Sequence, residues 1–155
     1  MWKKIIVYAV SILLPLAVGG LSALFTMGSM EKFGALNQPP LAPPGEVFPI
    51  VWTILFILMG ISAAIIFLSG HRDRTGALTV YGLQLVVNFF WSILFFNLEE
   101  RLLALFWILL LLAFVIWMIV RFSHISKTAA YLQIPYLLWL IFATYLNAGV
   151  WYLNR

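Results

Sequence analysis

Residues 37–52 read Asn37-Gln-Pro-Pro-Leu-Ala-Pro-Pro-Gly-Glu-Val-Phe-Pro-Ile-Val-Trp52. Two Pro-Pro pairs stand just before an apolar run that carries a tryptophan about two turns in. Proline fixes φ and removes a backbone donor, so this stretch is a stiff, irregular connection rather than the middle of a helix or strand. Nearly everything on either side is compatible with hydrocarbon. A proline-stiffened cover over a bundle, with an aromatic side chain beneath it, is the outline of a lidded binding pocket.

The chain of 155 residues is 65% hydrophobic and only 9% charged, with a mean hydropathy of +1.07. A soluble domain of this size cannot hide so much apolar surface, so lipid is the expected solvent. There is no cysteine, which excludes disulfides, thiolate metal sites and a cysteine nucleophile. The net charge of +4 does not point to nucleic acid, because the cations sit at span ends and form no single patch.

Five segments are long enough to cross a hydrocarbon core, which takes roughly 20 helical residues. They are residues 4–27, 47–69, 75–98, 102–122 and 128–153, giving an all-α, single-domain, five-helix membrane bundle over residues 1–155. Pro135 is expected to kink the last span rather than end it. The first span is read as a membrane helix and not as a cleaved leader, because its apolar run exceeds a usual secretory h-region and carries Pro15. Lys3, Lys4, Arg72, Arg74, Arg121 and Lys127 fall on one side of the membrane, and Lys32, Arg101 and Arg155 on the other. The positive-inside rule then places the N-terminus inside, with the first loop and the C-terminus outside.

Three connections are short and make consecutive spans antiparallel neighbours. The first loop, residues 28–46, is longer than its connection needs. Two readings stand evenly: a functional lid or a passive linker ending in a proline helix-start signal. The fourth span is apolar on every side and is expected to face lipid, with Trp107 and Trp117 in packing or lipid contacts.

Polar residues inside a bilayer usually face the bundle interior. At about 100° per residue, Gln84, Asn88, Trp91 and Phe95 share one face of the third helix. Tyr136, Trp139, Ala143 and Asn147 form a like stripe on the fifth, and Pro49, Trp52, Phe56 and Gly60 on the second. Trp52 lies roughly 9 Å below the first loop at about 1.5 Å per residue, and Trp139 lies nearer the midplane. The three stripes are placed to converge under the loop, where Pro43 and Pro44 supply the cover. Each residue also has a plainer role. Asn88, Gln84 and Asn147 suit interhelical hydrogen bonds, and Trp52 and Trp91 suit interfacial anchoring. Periodicity alone names no ligand.

Three blocks, residues 38–60, 84–96 and 135–147, closely resemble the translocator protein or tryptophan-rich sensory protein family (TspO/MBR) in order and spacing. Leu41 departs from that pattern, since the family's loop often has tryptophan there. The resemblance implies five transmembrane helices, commonly dimeric, around a pocket closed by the first loop. It implies tetrapyrrole ligands such as protoporphyrin IX and haem, or drug-like hydrophobic molecules, and no required cofactor or metal. It also implies light- and oxygen-dependent porphyrin breakdown that needs two pocket tryptophans, matched here by Trp52 and Trp139. Asn88 matches a ligand-contacting amide and Ala143 a small pocket residue. His71 and His124 fall in loops away from that pocket. A non-catalytic transporter or sensor, and a bare structural bundle, are the competing functions. The expected location is a bacterial cell membrane, multi-pass, with a homodimer as the assembly.

Overall fold

A computed structural model describes all of residues 1–155. The chain forms α1 (Trp2–Thr26), a 3₁₀ turn (Met27–Ser29), α2 (Met30–Gly34), α3 (Val47–Leu68) and α4 (Arg74–Ser92). A π-helical turn (Ile93–Asn97), α5 (Arg101–Ser123), α6 (Lys127–Leu132) and α7 (Ile134–Leu153) follow. Five resulting spans are long and apolar enough to cross a membrane. Helix is the form such sequences take in lipid, because it satisfies every backbone donor and acceptor within the segment.

Consecutive spans are neighbours as expected, and α1 against α3 is the closest packing in the bundle. Gly60 explains it: a methyl group there would collide with the backbone of Ser11 and Ile12. The ring closes through α1 against α4 and α3 against α6, whereas α4 and α7 hardly meet by backbone. Long side chains bridge that gap instead. Gly70, at φ +67°, turns the chain after α3 in the left-handed conformation that glycine adopts without strain.

Three expectations need correction. The first loop is not irregular from residue 28. Helical structure continues to Gly34 because Phe33 is buried against Phe48, Phe95 and Phe96, which holds that extra turn on the bundle. The irregular connection is residues 35–46, apart from isolated turns. The fifth span breaks for a single residue at Gln133, just ahead of Pro135, and goes on as one membrane-length span. The fourth span is not wholly lipid-facing: Ala104, Ile108, Leu111, Val115, Met118 and Phe122 form a buried seam against its neighbours. Finally, the third span ends in a π turn, closed by Leu98 N–H donating to the Ile93 carbonyl at 3.0 Å. The extra residue in that turn rotates the helix face. Phe95 goes into the core and Phe96 faces the interior space described next.

The loop is tied to α7. Asn37 and Asn154 exchange hydrogen bonds of 3.0 and 2.9 Å, the Tyr145 hydroxyl donates to the Pro40 carbonyl, and Pro39 packs against Gly149. At the neighbouring corner, Asn97 Nδ2 donates to the Phe25 carbonyl at 2.8 Å, which ties α1 to the π turn.

Candidate functional site

A cavity of about 460 Å³ lies between the first-loop halves of α1, α3, α4 and α7. Each helix supplies a distinct wall. On α1 the wall is small, made by Gly19, Gly20, Ser22 and Ala23; Trp52 and Phe56 project from α3; Asn88 and Trp91 from α4; Phe96 from the π turn; Trp139 and Ala143 from α7. No Lys, Arg, His, Asp or Glu lines it. Such a site is apolar with a few placed polar groups, which is the usual make-up of a small-molecule pocket.

Neighbouring rings fix the indoles. Trp52 lies 5.4 Å from Phe56 and meets Tyr136 edge-on at 6.1 Å. Phe48 meets Trp139 edge-on at 5.9 Å, and Trp91 stacks on Phe95 at 5.2 Å. These are the offset and T-shaped arrangements that ring quadrupoles favour.

The polar groups are anchored from behind. Asn88 Nδ2 donates to the Tyr136 hydroxyl at 2.7 Å, and that hydroxyl donates to Gln84 Oε1 at 2.6 Å. Trp91 Nε1–H donates to Asn147 Oδ1 at 2.9 Å, while Asn147 Nδ2 donates to the Arg101 carbonyl at 2.9 Å. The Thr26 and Thr53 hydroxyls bond the carbonyls of their own helices. Trp139 differs, because its Nε1–H is buried with no acceptor in the protein. An indole donor in that condition is ready for an acceptor on a bound molecule.

Seven of the residues singled out from the sequence come together on this cavity: Pro49, Trp52, Phe56, Asn88, Trp91, Trp139 and Ala143. Gln84, Tyr136 and Asn147 do not line it; they form the layer behind Asn88 and Trp91. Pro43 and Pro44 border a separate recess of about 580 Å³ that shares Met30 and Pro49 with the main cavity. Lys32 and Arg101 line neither. Lys32 lies 4.0 Å from Glu99, and the Arg101 guanidinium sits 5.6 Å over the Phe95 ring.

Sequence reasoning missed the α1 wall, Phe48 and Phe96. The run Gly19-Gly20-Leu-Ser-Ala23 was the available signal, since small residues allow close approach or leave room. Gly19 takes the first course, its missing side chain making room for the Phe56 ring; Gly20 takes the second, with open space where a Cβ would stand.

Comparison with known proteins agrees with this architecture. Residues 11–153 match the family model described as TspO/MBR family. The chain is 37% identical to tryptophan-rich protein TspO of Chlorobaculum tepidum over 155 residues, covering 98% of each chain. It is 38% identical to the protein of the same name from Archaeoglobus fulgidus, covering 93% of this chain and 94% of that one. Against the translocator protein of Bos taurus the identity is 33%, over 92% of this chain and 87% of the relative. Five membrane-length helices and a match along almost the whole sequence lead to one conclusion: this chain is a multi-pass membrane protein and belongs to the TspO/MBR family.

Proposed function

We propose that this protein binds tetrapyrroles, with protoporphyrin IX and haem as the ligands, in the tryptophan-lined cavity. The observation that carries the reading is the convergence of Trp52, Trp91 and Trp139, from three helices, with the Asn88 carboxamide on one uncharged space. A porphyrin is a broad π surface suited to indoles, and Asn88 and the Trp139 N–H offer hydrogen bonds to its substituents. Chemistry in such a pocket runs through the indoles. A photo-excited porphyrin takes an electron from a tryptophan and hands it on to dioxygen, giving superoxide, or passes its energy to dioxygen, giving singlet oxygen. Dioxygen is the oxidant that then adds to and breaks down the pigment, and Trp52 and Trp139 are the indoles placed to give the electron. A second reading is a non-catalytic transporter or sensor for porphyrin or another hydrophobic molecule. It is favoured by the lining itself, which holds no carboxylate, imidazole or ammonium to act as acid or base.

In the same proposal the protein works as a homodimer in the cell membrane of a bacterium, N-terminus inside. The six-to-three division of Lys and Arg between the two faces supports the orientation. The long apolar surface of α1, which buries only Pro15 and Thr26, supports contact with lipid or a second copy.

A spectral titration with protoporphyrin IX, first in the dark and then under light with products identified by mass, separates the readings. Saturable tryptophan quenching, followed by light-driven pigment loss that Trp139→Phe diminishes, supports degradation. Binding with chemically unchanged pigment supports transport or sensing. Absence of saturable quenching removes both.

A further inference from the structure

Beneath the cavity, toward the end of the bundle opposite the first loop, a second group of polar side chains lies between α4 and α7. Gln84 and Gln133 are fully buried, and Tyr81 nearly so. Gln84 spends its Oε1 on the Tyr136 hydroxyl. Its Nε2 has no partner, nor has the Tyr81 hydroxyl, nor either amide atom of Gln133.

The register of the two spans brings these residues to one level of the bundle. The third and fifth spans run in the same direction, and the 2.6 Å bond from Tyr136 to Gln84 sets their register. Tyr81 and Gln133 each lie three residues earlier on their own chains, which is about 4.5 Å further along the axis for a helix. Phe122 of α5 walls one side, its ring centroid 6.3 Å from that of Tyr81. Because α4 and α7 hardly meet by backbone, the space between them is spanned by side chains.

Leaving several amide and hydroxyl groups dry inside a membrane protein is costly, since neither lipid nor bulk water can satisfy them. A buried water needs two to four polar partners in a polar setting, which this group supplies. We propose that Tyr81, Gln84, Gln133 and Tyr136 enclose an ordered-water site beneath the cavity floor. Water there accepts from Gln84 Nε2 and the Tyr81 hydroxyl and donates to Gln133 Oε1, which leaves one O–H free. The site is coupled to the cavity through Asn88, which lines the cavity and donates to Tyr136. When an acceptor in the cavity takes the Asn88 N–H, Tyr136 finds a replacement donor in this water, and the helices need not move. Gln133 and Tyr81 are thereby positioning residues for the Asn88 carboxamide.

X-ray radiolytic labelling of the whole protein in lipid nanodiscs, in ¹⁸O-enriched water, tests this. Hydroxyl radicals made at bound water modify the side chains that touch it, however deeply buried. Met59 and Met118, fully buried and intrinsically reactive, are the dry-core controls. Tyr81 and Tyr136 should be modified several-fold faster than those methionines after correction for intrinsic reactivity. Modification at the methionine rate overturns the proposal. Gln133→Met, or Tyr81→Phe should the first variant fail to fold, should bring Tyr136 labelling down to the control rate. Unchanged labelling in a folded variant also overturns it.

Discussion

Asn88 Nδ2 sits 2.7 Å from the Tyr136 hydroxyl, so the one carboxamide on the cavity surface is held by a phenol from across the bundle. The same hydroxyl donates a hydrogen bond to Gln84 Oε1 at 2.6 Å. One oxygen therefore connects α4 and α7, whose backbones hardly meet. Tyr136→Phe removes both bonds and leaves Asn88 and Gln84 short of partners. Interhelical bonds in membrane proteins average ~0.6 kcal/mol, and orphaned buried groups cost ~1–3 kcal/mol. The expected loss is about 2 kcal/mol by thermal or denaturant unfolding in nanodiscs, with weaker protoporphyrin binding.

The second cross-bundle link, Trp91 to Asn147 at 2.9 Å, makes a separable prediction. Asn147 also donates to the Arg101 carbonyl, so it serves two helices at once. A double-mutant cycle with Trp91→Phe and Asn147→Leu should give a coupling energy between ~0.6 and ~1.7 kcal/mol. Additive effects would mean that the indole N–H and the carboxamide contribute independently.

Two glycines, Gly60 at the α1–α3 contact and Gly20 on the cavity, should behave oppositely. Gly60 faces the Ile12 backbone with no room for a methyl group, whereas Gly20 faces open space on the cavity. Gly60→Val should destabilise the protein by ~2–3 kcal/mol through overpacking. Gly20→Leu should leave the melting temperature near wild type and lower ligand affinity by occupying the cavity. Unfolding and binding measured on the same preparations check both halves.

Leu41 holds φ at 73° while its side chain is exposed. A left-handed non-glycine residue is strained by roughly 1–2 kcal/mol, and glycine there would add ~0.4–1 kcal/mol of unfolded-state entropy. The strain term is the larger. Leu41→Gly is expected to stabilise the protein by about 0.5 kcal/mol, read as a small rise in melting temperature.

Much of the architecture was legible in the sequence because lipid imposes simple rules. Runs such as Leu102–Trp117 can only be membrane helix, and the approximate 100° period put Trp52, Asn88, Trp91 and Trp139 on interior faces. Other features depended on information no single segment carries. The π turn at Ile93–Asn97 exchanged Phe95 for Phe96 on the cavity wall, and its cause is tertiary: the packing of Phe33, Phe95 and Phe96. The helical turn at Met30–Gly34 depends on the same aromatic cluster. The α1 wall escaped notice because a periodicity search rewards large and polar side chains, and α1 contributes glycine, serine and alanine. Tyr136 has the right stripe and the wrong layer, because its reach across to Gln84 and Asn88 is set by the spacing of α4 from α7.

The proposed tetrapyrrole site is the space between α1, α3, α4 and α7. The most direct test is dark titration with protoporphyrin IX of wild type and Ala143→Phe, whose added ring enters that cavity. Saturable quenching in wild type, with affinity lost in a variant that folds and melts normally, is the predicted result. Equal affinity in the two proteins would contradict it and move the ligand elsewhere.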